Sequence, residues 1–164
     1  YQTNLGILGA LADGLDWILS DRENHASLLE GARASSVKLA CYRNQNAPAA
    51  ARKLASIRRR RPDARVALVT DSVFSMSGAI APLSDLAALK AADPRLMLYV
   101  DEAHALGVLG TAGGGAAAAA GATPAVDFLV GMIHRNERGI PSVPLYILVD
   151  STWKDSPSLP DKRR

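Results

Sequence analysis

The sequence predicts an α/β fold, with a parallel-rich sheet wrapped by helices. Three observations carry that expectation. Strand-like and helix-like segments alternate through at least four units between Trp17 and Gly131, the pattern of parallel strands joined by helical crossovers. The stretch "RVALVTD" (65–71) is an unbroken apolar run ending in polar residues, as a strand buried on both faces of a parallel sheet requires. Alanine and glycine are abundant and aromatic residues make up only 5% of the chain, a composition suited to close packing of helix on sheet.

The elements follow in order. Leu5, Leu8 and Leu11 recur at helical spacing between Gln2 and Asp13, and "DGLD" (13–16) breaks the pattern. Trp17-Ile18-Leu19 reads as a short strand ending at Ser20-Asp21. "HASLLEGARASS" (25–36) places Leu28, Leu29 and Ala32 on one helical face, and "VKLACY" (37–42) returns to strand. Cys41, the single cysteine, excludes an internal disulfide and a cysteine-based metal cluster; it is expected to be a small buried apolar residue. "NAPAAARKLASIRRR" (46–60) is a helix with Pro48 in its first turn, where the missing amide costs little.

Arg58 to Arg61 form the densest basic run. They suit the negative end of a helix dipole; no aromatic residues interleave and no second basic segment follows, so no nucleic-acid partner is expected from a chain of formal charge +3. "PLSDLAALKAADP" (82–94) is a helix bounded by prolines, "LMLYVD" (96–101) a strand, "GGGAAAAAG" (113–121) a glycine-opened helix and "VDFLVG" (126–131) another strand. Beyond Gly131 the segment 132–164 carries four prolines and scattered charge, and only "LYILVD" reads as a regular element. The division expected is therefore 1–131 as the patterned domain and 132–164 as an irregular tail. No apolar run reaches membrane-spanning length and the first residues lack the order of a secretion signal, so a soluble cytoplasmic setting without membrane contact is expected.

"WILSD", "VALVTD" and "LMLYVD" all end in an acid, and ligands of open parallel sheets bind beyond the carboxyl ends of strands. Within "LYVDEAHALGVLG" (98–110), Asp101 can pair with a cationic ring nitrogen and keep it protonated, its short side chain holding the charge close. His104, three residues on, can reach the same ligand from its edge. A nucleotide site with magnesium on the acids would need a phosphate loop of the form Gly-x-x-x-x-Gly-Lys-Ser/Thr upstream, and none is present. A metal shared by Asp101, Glu102 and His104 meets the objection that adjacent strand residues point to opposite faces.

"DSVFSMSGAIAPLSDLAAL" (71–89) followed by "YVDEAHALGVLGTAGGG" (99–115), with "SDRENHASLLEGARAS" (20–35) upstream, resembles the α-oxoamine synthases, pyridoxal 5'-phosphate enzymes of aminotransferase class II and fold type I. The resemblance covers residues 1 to about 131. It implies a partial large domain of a pyridoxal-phosphate-dependent transferase. Complete relatives join an amino acid to an acyl-CoA with loss of carbon dioxide, as homodimers. It also implies that Asp101 pairs with the cofactor's ring nitrogen, that His104 and Ser75 contact the region of its phenolic oxygen, and that His25 stacks on its face. Tyr1 would lie at the turn holding the phosphate. A turn cap at Ser75 and a helix N-terminal role for His25 remain as alternatives.

The family's chemistry needs a lysine that forms a Schiff base with the cofactor, in a Thr-x-x-Lys pattern after the strand resembling "VDFLVG". Here those positions read Met132-Ile133-His134-Arg135, and an arginine stays protonated. Lys154, three residues after Ser151, is the one displaced substitute to consider, but no glycine-rich continuation follows it. Lys38, Lys53, Lys90 and Lys162 sit in strand, helix or tail contexts that do not fit. The expectation is a chain without a catalytic lysine, inactive as written, that holds the cofactor non-covalently at best. The rivals are a non-catalytic partner subunit of a lysine-bearing homologue and a fragment without a stable fold. The loss of pattern after Gly131 is what a shifted reading frame, an alternative splice or a decayed copy would give.

Overall fold

The strand with the longest apolar run takes the most enclosed place. In the computed structural model, which describes residues 1–132 and 146–149, β3 (Val66–Asp71) is buried at all six positions. It lies between β1 (Trp17–Asp21) and β4 (Leu96–Asp101), in a sheet ordered β2-β1-β3-β4-β5-β6 in which every pairing is parallel. β2 is Lys38–Tyr42, β5 Phe128–Met132 and β6 Tyr146–Val149, the last falling within the segment expected to hold one regular element. The helices are α1 (Gln2–Leu11), α2 (Ala26–Ala34), α3 (Ala47–Arg60), α4 (Leu83–Ala92) and α5 (Gly115–Ala119). Each expected strand and helix up to Gly131 is present.

Side chains alternate across the sheet, and this parity sorts the helices. Ile18, Ala67, Val69, Tyr99 and Val130 face one side, where they pack with Leu8 of α1 and with Leu28 and Ala32 of α2. Leu19, Leu68, Leu98 and Val100 face the other, against Leu54 and Ile57 of α3, Leu86 of α4 and Ala117 of α5. The same parity continues past the apolar residues to the strand ends. Asp71 and Asp101, in phase with Val69 and Tyr99, fall on the α1–α2 side, whereas Asp21 and Glu102 fall on the side of α3 and α5.

Gly31 sets how closely α1 approaches α2: a Cβ there would meet Leu8 Cδ1 at 3.0 Å and the Asn4 carbonyl oxygen at 3.1 Å. α3 starts where the sequence says it should. Asn46 Oδ1 accepts from the Ala49 amide at 2.8 Å and Pro48 occupies the first turn. Asn46→Ala is expected to lower stability by about 1 kcal/mol, read as a lower urea midpoint with an unchanged slope. At the helix end, Arg58 Nε binds Asp93 Oδ2 at 2.6 Å, so this part of the basic run ties α3 to the end of α4.

Two local expectations fail. Cys41 is half-buried rather than part of the core, because β2 lies at the edge of the sheet and pairs on one side only. The helix expected over 113–121 is confined to Gly115–Ala119, because Gly113 (φ 74°) and Gly115 (φ 93°) take left-handed backbone conformations at its start. No helix among the described residues is long and apolar enough to cross a membrane.

Candidate active site at the carboxyl ends of the strands

Parallel pairing sets Asp71 and Asp101 side by side, in register at the ends of β3 and β4. Both are nearly sealed from solvent, 3% and 7% exposed, and share a neighbourhood with Asp21 at 1%. None of these carboxylates pairs with a cation among the described residues. What holds them is a set of neutral donors.

Asp101 Oδ2 accepts from Asn4 Nδ2 at 2.7 Å and its Oδ1 from the Ala103 amide at 2.8 Å. Asp71 Oδ2 accepts the His25 amide at 2.7 Å, and the Asp71 amide donates to Asn24 Oδ1 at 2.8 Å. Asp21, on the opposite face, accepts from the Glu23 amide, Asn44 Nδ2 and the Gln45 amide at 2.9–3.0 Å. Burial pushes the Asp71 carboxyl up to about 7; the His25 amide opposes this, and the charges of Asp101 and Asp21 add to it. Burial likewise raises the Tyr99 hydroxyl, with the nearby Asp101 charge reinforcing it.

Asn4 links the strand end to the helix above it. While it donates to Asp101, the same amide nitrogen donates to Ser27 Oγ at 2.8 Å, and its Oδ1 accepts from the Tyr99 hydroxyl at 2.7 Å. Ser27 Oγ lies 2.8 Å from His25 Nδ1. Asp101 and His25 are thus joined through two intervening side chains. His25 is also the N-cap of α2, accepting from the Ser27 amide at 3.3 Å, so the helix N-terminal reading describes its local geometry. Its exposed ring meets Tyr1 edge-on, with centroids 6.0 Å apart at 82°.

Ser75 and His104 lie apart from this network. Ser75 sits in the exposed turn after β3 and His104 in the exposed loop after β4, and no hydrogen bond joins either to Asp101 or His25 among the described residues. In the first of these loops the turn contact is made by Ser77 Oγ, which accepts from the Ala79 amide at 3.3 Å, rather than by Ser75. Glu102 turns away, as alternation requires, and accepts the Ala116 and Ala117 amides at 2.9 and 2.6 Å at the start of α5. A Cβ on Gly115 would stand 2.7 Å from Glu102 Oε2, so the glycine run is what lets this buried acid close onto the helix. No group of three metal-ligating side chains converges among the described residues.

A cavity of about 370 Å³ opens at the opposite end of the sheet, lined in part by Asp16, Trp17, Lys38 and Arg61. It is remote from the strand-end carboxylates. The positions proposed for the Schiff-base lysine, from Ile133 to Arg135 and at Lys154, lie outside the described residues.

Asn4, Ser27, Tyr99 and Asn24 do not stand out as site residues from the sequence alone. A signal is there all the same: Asn4 stands one turn before Leu8 on the buried face of α1, and Ser27 one turn before Gly31 on that of α2. A polar residue on an apolar stripe needs a buried partner.

Comparison with known proteins agrees with this architecture. The family model for aminotransferase class I and II matches residues 1–133. The 8-amino-7-oxononanoate synthase of Alkalilimnicola ehrlichii is 48% identical over 115 residues, 70% of this chain and 28% of that protein. The 8-amino-7-oxononanoate synthase of Methylococcus capsulatus is 45% identical over 136 residues, 82% of this chain and 34% of that protein. Among solved structures, the serine palmitoyltransferase of Sphingomonas wittichii superposes with a TM-score of 0.71 at 32% identity, over 78% of this chain and 31% of its own. The chain therefore spans about a third of the length of the relatives it matches. With its parallel sheet, its strand-end acids and these matches, the chain belongs to the aminotransferase class I and II family, and within it to the α-oxoamine synthases.

Proposed function

We propose that residues 1–131 form a partial large domain that cradles pyridoxal 5'-phosphate without covalent attachment. The observation that carries this reading is the state of Asp101: a nearly buried carboxylate with one N–H donor on each oxygen, a free lone pair left on each, and no cation facing it among the described residues. A protonated ring nitrogen supplies the missing positive donor, so the donor set fits that end of the cofactor. The bound cofactor would supply an electron sink for charge developing at a substrate carbon.

The chain's own residues then divide the work. Asp101 holds the proton on the ring nitrogen, and Asn4 and the Ala103 amide hold Asp101. His25, on the same face of the sheet, covers the ring. Ser75 and His104, on loops following adjacent strands, are the groups assigned to the phenolic oxygen. The amino acid and acyl-CoA condensed in complete relatives, and the homodimer they form, are expected of a full-length protein built on this domain.

Because Met132 to Arg135 stand where Thr-x-x-Lys is expected, the chain is proposed to lack the catalytic lysine and to be inactive as written. Titrating the protein with pyridoxal 5'-phosphate should give a saturable change in cofactor absorbance. Borohydride reduction followed by peptide mapping should then leave no cofactor on any lysine. A stoichiometric adduct on Lys154 would overturn the inactivity claim; absence of saturable binding would remove the cradle itself and favour the non-catalytic partner subunit.

A further inference from the structure

We propose that Asn4 is a positioning residue which, acting through Ser27, fixes the neutral His25 ring as the tautomer protonated on Nε2. The inference rests on the cradle reading for what the ring would meet, and on the geometry of the chain alone for the tautomer.

An ionised carboxylate accepts hydrogen bonds and cannot donate them, so the end of Asn4 turned to Asp101 at 2.7 Å must be its NH2 group. Tyr99 fixes the same orientation from the other end, its hydroxyl donating to Asn4 Oδ1 at 2.7 Å. With the amide so held, its second hydrogen goes to Ser27 Oγ at 2.8 Å. With one of its two lone pairs taken by Asn4, that oxygen keeps its own hydrogen to donate, and His25 Nδ1 lies 2.8 Å away. Independently, the Ser27 backbone N–H points at the same nitrogen from 3.3 Å. Two donors converge on Nδ1, so Nδ1 carries no hydrogen. In the neutral ring the single hydrogen is then on Nε2.

The orientation of Asn4 is set by Asp101 and Tyr99, and it reaches His25 through two buried side chains, Asn4 at 3% exposure and Ser27 at 1%. The consequence is chemical. A neutral His25 presents an N–H to a ligand beside it, suited to an acceptor oxygen, and offers no lone pair with which to take a proton there. Loss of the Asn4 donor would free Ser27 to turn its hydrogen elsewhere, leaving the Ser27 backbone N–H as the one donor on Nδ1 and weakening the ring's fixed polarity.

Side-chain 15N NMR of the full chain, labelled at histidine and recorded at pH 8 with no cofactor present, reads the tautomer directly, with His25→Gln used to assign the signals. The expected result is a widely separated pair of shifts, Nδ1 unprotonated and Nε2 protonated. In Asn4→Asp the position becomes an acceptor that draws the Ser27 hydrogen away, and the two shifts should move toward each other. Should that variant fail to fold, Ser27→Ala removes one of the two donors on Nδ1 and should give the same convergence. An averaged pair or a protonated Nδ1 in the unsubstituted chain overturns the proposal, as does full separation retained in folded Ser27→Ala. A chain that shows the expected pair but binds no pyridoxal 5'-phosphate sinks the cradle reading alone. One that binds the cofactor with an averaged pair sinks the tautomer alone.

Discussion

Asp101→Ala is expected to weaken pyridoxal 5'-phosphate binding by about 30- to 5,000-fold, the equivalent of removing one partner from a desolvated, hydrogen-bonded charge pair at about 2–5 kcal/mol. The size follows from burial. At 7% exposure the carboxylate is shielded from water that could otherwise take over its role, so a ring nitrogen deprived of it either stays charged without a partner or gives up its proton. The free protein should change in two opposed ways. Asn4 Nδ2 and the Ala103 amide lose an acceptor, which costs stability, while Asp71 loses the neighbouring charge that helps hold its proton on, so its titration midpoint should fall. Absorbance titration of cofactor binding, with Asn46→Ala as a control on the opposite face of the sheet, decides the matter. Equal dissociation constants for Asp101→Ala and the unsubstituted chain would mean that the carboxylate does not face the cofactor. A fall in affinity matched by the control would point to a general loss of structure.

How much of this was legible in the sequence depends on how local each signal is. The order of strands and helices was readable because apolar runs, period-2 alternation and the prolines flanking α3 and α4 act over a few residues. The opposition of Asp101 and Glu102 was readable for the same reason: it needs only the pleat of one strand. The Asn4 network was not, because Asn4 and Asp101 lie 97 residues apart and meet only once α1 has packed onto α2 across Gly31. Nor was the raised carboxyl of Asp71, since it depends on which strand pairs with which: β3 beside β4 puts two acids of the α1–α2 face in register. Cys41 was misjudged on the same ground. The apolar character of "VKLACY" is a property of the segment, whereas its place at the edge of the sheet is a property of the strand order.

Asp71→Asn is expected to be more stable than the unsubstituted chain at pH 8 and nearly equal to it at pH 4. An acid whose folded value is raised from 3.8 to about 7 keeps its proton in the folded state over a range where the unfolded chain has released it. The folded state therefore binds more protons between those limits, and the group's contribution to stability is fully present below about pH 4 and lost as pH rises toward 7. A rise of that size corresponds to at most about 4 kcal/mol for a residue this enclosed. An amide at position 71 cannot ionise and can still accept from the His25 amide.

The other perturbed groups act in different windows. Asp93 is held below the usual carboxylate range by Arg58 and Arg95 against the opposing pull of burial, so its contribution is lost only as pH falls below about 4. Tyr42 and Tyr99, both raised, matter only in strong alkali. Between pH 4 and pH 8 the slope assigned to shifted groups is thus Asp71's, and urea unfolding across that range should show it flattened in Asp71→Asn; an unchanged slope would refute the assignment. The same electrostatics couples to the ligand. A cationic ring nitrogen placed against Asp101 offsets the repulsion that the Asp71 charge would otherwise meet, so pyridoxal 5'-phosphate should stabilise the unsubstituted chain more at pH 8 than at pH 5, and that difference should shrink in Asp71→Asn.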